Sequence, residues 1–216
     1  MNIINSQRGK LLFRYTNLPS LFDILLNRRL TLLGYQNWKD KNDTKLIDRY
    51  LEVSGYASMT ALCFTHESET YHHWSTFSGG DFGVRITFFW QKLVDAVDML
   101  PNEENVRFED VMYRKIREVS ESASAIRELP FIKRHPYRYE KEVRIIRPSK
   151  ESVFENFHIS IGLDSIDRIS LSPYMPKNLV ITTKGLIKSL DGCSKLNIVH
   201  SKLIEYDAWI NRGLKE

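Results

Sequence analysis

Cysteine is nearly missing from this chain: Cys63 and Cys193 are the only two in 216 residues. Two thiols cannot build a disulfide framework or a four-thiolate metal site, and they agree with a reducing compartment. Long apolar runs are also missing; none approaches the roughly 18–20 residues that a membrane span needs. The opening Met1-Asn2-Ile3-Ile4-Asn5 lacks the charged-then-apolar layout of a secretory signal. These absences predict a cytoplasmic protein with no membrane association. There is no G-x-x-x-x-G-K-[ST] loop, no G-x-G-x-x-G fingerprint and no G-x-S-x-G elbow. Neither H-x-x-x-H nor C-x-x-C occurs, and the neighbours His72 and His73 point apart on a helix or a strand, so no metal is expected. No repeat, low-complexity stretch or shift of composition marks an internal boundary. Residues 1–216 are therefore expected to form a single domain.

What is present suits a folded domain. Hydrophobic residues make up 42% of the chain, enough for a core. The net charge of +4 does not repel a phosphate-bearing ligand. Leu11 to Tyr15 reads as a strand, and Thr16-Asn17-Leu18-Pro19 as the start of a helix with Leu18, Leu21, Phe22 and Leu25 on one face. Leu30 to Leu33 is a second strand, and Trp38 to Ser54 holds an amphipathic helix. Met59 to Thr65 and Phe82 to Phe88 are strands joined by a polar, aromatic connection. Gln91 to Leu100 reads as helix, Val106 to Tyr113 as strand, and Arg114 to Leu129 as helix. Tyr139 to Ile146, Phe157 to Leu163, Arg168 to Leu171 and Leu196 to Val199 are further strands, with a helix over Lys177 to Leu190. Short helices among non-sequential strands predict an α+β fold with a split or two-layer sheet.

Three segments carry chemistry. In Tyr139-Glu140-Lys141-Glu142-Val143-Arg144, a strand period of two puts Glu140, Glu142 and Arg144 on one face. They form either a solvated edge or a carboxylate pair lining a cleft, where one could stabilise a developing cation. In Phe13-Arg14-Tyr15-Thr16, Arg14 and Thr16 share a face before a helix N-terminus, which is either a seat for phosphate or ribose or a surface arginine beside a capping threonine. Glu67 to Trp74 follows a strand directly, so Tyr71 and Trp74 either form a wall against a flat ring or pack into the core at i, i+3 spacing. Cys63, in an apolar strand, reads as a small buried hydrophobe. Lys133, Arg134, His135, Arg138 and Lys141 interleave with Tyr137 and Tyr139. Such a mixture suits a nucleic-acid single strand or is simply solvated surface.

The blocks Leu12-Phe13-Arg14-Tyr15-Thr16, Asn37-Trp38 to Asn42-Asp43, Leu62-Cys63-Phe64-Thr65, Glu69 to Trp74, Gly79-Gly80-x-x-Gly83, Tyr137 to Ile146, Ile169 to Pro173 and Asp191-Gly192-Cys193 occur in an order that resembles an uncharacterised bacterial family. The resemblance spans Leu12 to about Trp209. The layout is also similar to the ADP-ribosyltransferase superfamily, including the DarT-type toxins that modify DNA. Arg14-Tyr15-Thr16-Asn17-Leu18 with Ile24-Leu25 fits its opening, Thr65 with Tyr71 to Trp74 its middle block, and Glu140-Lys141-Glu142 its closing E-x-E strand. The chain lacks any diagnostic long motif of that superfamily.

This second resemblance implies an ADP-ribosyltransferase-like split mixed sheet with short helices around an NAD cleft. It implies NAD as co-substrate, with no metal, and a role as a toxin or phage-defence effector, with an antitoxin protein as a possible partner. Glu142 and Glu140 would be catalytic; Arg14, Tyr15, Thr16, Thr65, Tyr71 and Trp74 would bind the cofactor. Single-stranded DNA or RNA would be the favoured acceptor over protein, held by Lys133, Arg134 and Arg138. A non-catalytic nucleic-acid or partner-protein binding module is the alternative. A metal-dependent nuclease is disfavoured, because the E-K-E strand lacks an acidic-then-E-x-K pattern.

Overall fold

Bulky and aromatic residues favour an extended chain over Leu11–Asn17, which forms strand β1. The strand ends where Asn17 caps a helix: its Oδ1 accepts the Ser20 amide at 3.0 Å. Pro19 sits in the first turn, where a missing N–H costs nothing. Helix α1 (Leu18–Asn27) buries Leu21, Ile24 and Leu25. There follow β2 (Arg29–Gly34), α2 (Lys41–Ser54), β3 (Ser58–Thr65), α3 (Tyr71–Phe77), β4 (Gly83–Phe89) and α4 (Trp90–Asp98). Then come β5 (Arg107–Asp110), β6 (Met112–Arg114), α5 (Ala123–Glu128), β7 (Ile132–Arg134), β8 (Glu142–Ser149) and β9 (Phe157–Ser160). The chain closes with β10 (Ile166–Leu171), α6 (Lys177–Ser189), β11 (Ile198–His200) and α7 (Asp207–Gly213). The structure, a computed structural model, describes residues 11–118, 123–151 and 156–213. Among these, no helix is long and apolar enough to cross a membrane.

The fold is α+β, as expected, with a large mixed sheet and short helices. The main path runs β11-β10-β4-β1-β3-β2-β9, with β8 beside β3 and β5 beside β8. Only β10 and β11 run parallel in it. Strand β3 forks the sheet. One of its edges pairs with β8 along its whole length, from Ser58↔Ser149 to Thr65↔Glu142. Its other edge meets β1 at Phe13↔Thr65 and β2 at Gly34↔Thr60 and Leu33↔Ala61. Between those contacts, at residues 62–64, no strand among the described residues pairs on that side.

The two faces of β3 and β8 are packed differently. Leu62, Phe64, Val143 and Ile145 join a large apolar cluster with Leu12, Leu21 and Leu25. Met59, Ala61 and Ile146 face a smaller cluster built from Ile47, Tyr50 and Leu51 of α2 and Leu129 and Phe131. Along this second face the period of two then presents Cys63 and Thr65, and opposite them Arg144 and Glu142. Apolar packing gives way to charge within one strand repeat.

Three expectations are corrected. Val106 to Tyr113 is not one strand: β5 joins the main sheet, whereas β6 pairs in parallel with β7, an element the sequence reading left out. At the crossing, the buried Val111 gives its N–H to the Glu142 carbonyl at 2.9 Å. The strand expected from Tyr139 starts only at Glu142. Pro136 opens a 3₁₀ run over His135–Glu140, and Lys141 turns the chain with φ of 43°. That left-handed turn is fixed by the Lys141 carbonyl, which accepts the His66 amide, and by Lys141 Nζ, 2.6 Å from Glu67. β8 is also not a solvated edge, since it lies between β3 and β5. Of the helix expected over Arg114 to Leu129, only α5 (Ala123–Glu128) is α-helical among the described residues: Arg114 ends β6, Ile116–Glu118 and Leu129–Phe131 are 3₁₀ turns, and residues 119–122 lie outside the described residues.

Candidate active site

The fork in the sheet leaves a carbonyl without a ladder partner, and the site begins there. Arg14 Nη1 donates to the Cys63 carbonyl at 2.8 Å, standing in for the missing strand. Arg14 lines a cleft of about 530 Å³ together with Tyr15, Trp38, Asp43, Cys63, Thr65, Lys133, Tyr137, Glu140 and Glu142. Among the described residues Arg14 has no carboxylate partner. Burial lowers its guanidinium to about 10. It still carries its charge at neutral pH, and that charge is uncompensated.

Across the cleft lies a closed network of charges. Arg144, with 0% of its surface exposed, donates from Nε to Glu142 Oε1 at 2.7 Å and from Nη2 to Glu142 Oε2 at 3.0 Å. It also grips Asp43 at 3.0 and 2.6 Å and the Pro130 carbonyl at 2.8 Å. Lys133 Nζ lies 2.6 Å from Glu140 Oε2, 3.2 Å from Glu142 Oε2 and 3.7 Å from Asp43 Oδ2. Three carboxylates thus share two cations. Burial alone would raise the Glu142 carboxyl; Arg144 and then Lys133 overcome it and bring it to about 2. For Glu140 burial outweighs Lys133, its one hydrogen-bonded cation, and the carboxyl stands above its ordinary value. Burial would lower Lys133, but three carboxylates push it up. Glu142 is therefore a fixed anion, while Glu140 Oε1 accepts no hydrogen bond among the described residues.

The backbone turn at Lys141 is what brings Glu140 to this place. Thr65 Oγ1 donates to the Glu140 carbonyl at 2.5 Å and accepts the Glu67 amide at 2.8 Å. His73 Nε2 lies 3.2 Å from the same carbonyl, and its Nδ1 lies 2.7 Å from Thr70 Oγ1. Thr65 and His73 therefore fix Glu140 from behind. A second hollow of about 480 Å³ adjoins the cleft, and Glu140, His73 and Tyr137 line both.

The structure brings Arg14, Tyr15, Thr65, Glu140 and Glu142 to one cleft despite their separation in sequence. Thr16 is buried against β4 and Trp74 in the core, its Nε1 bonded to Glu69 at 2.8 Å; neither lines the cleft. Tyr71 is 65% exposed and also lies away from it. Of the aromatic block it is His73 that reaches the cleft, beside Tyr15 at a ring separation of 5.3 Å. Lys133 does not share a surface with the exposed Arg134 and Arg138, because its ammonium is turned inward and engaged by carboxylates. Sequence reasoning gave no role to Asp43 or Trp38, although both fall in the block from Asn37 to Asp43 that carried part of the resemblance, and it read Tyr137 as an aromatic for a nucleic-acid strand, whereas its ring lies beside Lys133 in the cleft. Among the described residues no cluster of His, Cys, Asp and Glu could hold a metal ion.

Cys63 is not only a space-filling hydrophobe, since it lines the cleft between Arg14 and Glu142. Burial, and after it the Glu142 charge, push its thiol well up. In a Cys193→Ser background, the native chain is expected to react with a disulfide-exchange reagent at least about tenfold slower than the urea-unfolded chain at pH 8, because thiolate is the reacting form. Equal rates would show that Cys63 is accessible and ionised.

No protein-family model matches the chain, and no curated protein matches it. Among solved structures, it is similar to DarT of Thermus sp. 2.9 in three forms. With ADP-ribosylated ssDNA the TM-score is 0.45 at 13% identity, covering 89% of this chain and 94% of that one. With NAD+ the values are 0.45 and 11%, over 92% and 98%. With carba-NAD+ they are 0.44 and 12%, over 91% and 98%.

Proposed function

We propose that this chain is an NAD-dependent ADP-ribosyltransferase that transfers to a single-stranded nucleic acid. One observation carries the reading: a permanently ionised carboxylate, Glu142, faces an arginine without a carboxylate partner, Arg14, across a cleft large enough for a dinucleotide's reacting half. In the reaction the bond from the ribose anomeric carbon to the nicotinamide nitrogen breaks, and the electron pair leaves with nicotinamide. The anomeric carbon becomes cationic and is captured by an acceptor nucleophile that loses its proton. A fixed anion beside that carbon stabilises the cation without reorganising at the moment of reaction. The free Oε1 of Glu140 suits a ribose hydroxyl, and the unused donors of Arg14 suit the pyrophosphate. Tyr15 and Tyr137 supply aromatic lining to the same cleft.

Nucleic acid is favoured over protein as acceptor. Arg134, Arg138 and Tyr139 are exposed just before β8, with the Arg138 guanidinium 4.1 Å from the centre of the Tyr139 ring. Arg138 covers one face of that exposed ring, and an exposed cation with a ring suits a phosphate backbone and a base stacked on the other face. The sequence resemblance to DarT-type toxins extends the reading to a toxin or phage-defence effector.

Calorimetric titration with NAD tests the binding half of this reading. Wild-type protein is expected to bind, and Arg14→Gln to bind at least about tenfold more weakly, as loss of a charge-assisted contact to an anion predicts. Equal affinity for the two proteins would remove Arg14 from the site.

A further inference from the structure

The β6–β7 pair stands apart from the main sheet, and two of its facing residues end at the start of β8. Tyr113 and Lys133 are cross-strand partners. The Tyr113 hydroxyl accepts the Glu142 N–H at 2.8 Å, and Lys133 Nζ bonds Glu140 and Glu142 while lying 5.0 Å from the Tyr137 ring centre. The small sheet thus anchors both the backbone and the carboxylates of the E-K-E segment.

We propose that Lys133 is a positioning residue that ties Glu140 to Glu142 and keeps Glu140 ionised towards the cleft. Arg144 alone would face three carboxylates, and it makes hydrogen bonds to Glu142 and Asp43 but none to Glu140. Glu140 is therefore the group whose charge depends on Lys133. Several other ionisable groups surround it. From α3 come His72 and His73, the latter bonded to the Glu140 carbonyl rather than its carboxylate. From the segment after β3 comes Glu67, whose charge is matched by Lys141. Tyr113 of β6, Asp43 of α2, and Glu142 and Arg144 of β8 complete the shell. Among the described residues, Lys133 is the one cation hydrogen-bonded to the Glu140 carboxylate. Its effect on rate rests on the reading of the cleft as an NAD site; its effect on the charge of Glu140 does not.

The test is an NMR titration of chains carrying isotope at the glutamate carboxyl carbon, with Glu140 assigned by its loss in Glu140→Gln. Lys133→Met keeps the aliphatic stem and removes the charge; Lys133→Gln keeps a donor as well and reads the same shift should Lys133→Met fail to fold. The Glu140 midpoint is expected to rise by about one pH unit or more in the neutral variants, a tenfold change in its ionisation constant, and to return in Lys133→Arg. A midpoint within about 0.3 unit of wild type in a folded neutral variant would overturn the clamp, being smaller than one charged hydrogen bond produces. NAD turnover is followed on the same samples, and its acidic limb is expected to move by the same amount. A moved midpoint with no turnover in wild type at any pH would uphold the clamp and count against the transferase reading.

Discussion

Glu142→Gln is expected to lower NAD turnover by about 10²–10³-fold, the usual effect of removing one preorganised electrostatic contact to a charge formed in the transition state. Arg144 and Lys133 hold Glu142 at about 2, so at any working pH it is an anion fixed in position. Glutamine keeps the shape and an acceptor oxygen but supplies no negative charge to the anomeric carbon. Its amide also turns a donor towards the donors of Arg144 or Lys133. A lower melting temperature by a cost of about 1–3 kcal/mol is therefore expected alongside, as for a mismatched buried polar group. The measurement is nicotinamide release at saturating NAD together with a thermal melt. A folded variant with wild-type turnover would remove Glu142 from the chemistry.

Arg144→Met has the largest expected effect on stability, a loss of about 3–5 kcal/mol, because it breaks a buried ion pair from one side. Arg144 is inaccessible to solvent, and its guanidinium joins Asp43 of α2, Glu142 of β8 and the Pro130 carbonyl, with Trp38 packed 4.8 Å from it. Methionine fills the stem but leaves two buried carboxylates with Lys133 as their only paired cation among the described residues. Denaturant unfolding of the variant measures the loss. Adding Asp43→Asn should recover part of it, so that the double variant is less damaged than the sum of the single ones. A loss below about 1 kcal/mol, as for an exposed pair, would mean that the network is solvated.

Local chemistry made much of the main sheet legible in advance. Asn17 and Pro19 announced α1, and apolar runs announced β1, β3 and β4. What stayed hidden depends on contacts made at long range. Tyr139 to Ile146 alternates as a strand should, and nothing in that alternation signals a left-handed lysine at position 141, which is held there by Glu67 and His66. Lys133 sits among basic and aromatic residues that read as surface; only the parallel pairing of β6 with β7 turns it inward. Asp43 looks like one more charge on a polar helix until Arg144 reaches it across 101 residues. Val111 bridges two strands that periodicity alone reads as one. The carboxylate pair and Arg14 were visible as residue types in order, whereas the cleft that joins them arises from the fork at β3, a matter of strand pairing. The i, i+3 spacing of Tyr71 and Trp74 left the choice between wall and core open, and burial assigns Trp74 to the core.

The central claim is that this cleft breaks the glycosidic bond of NAD. Purified wild-type protein and Glu142→Gln are incubated with NAD and a single-stranded oligonucleotide, and both free nicotinamide and oligonucleotide mass are read. The account predicts nicotinamide release by wild type at least about 10²-fold faster than by Glu142→Gln, with a matching gain of one ADP-ribosyl mass on the oligonucleotide. Folded wild-type protein that releases no nicotinamide, with DNA, RNA or cell extract as acceptor, would contradict it.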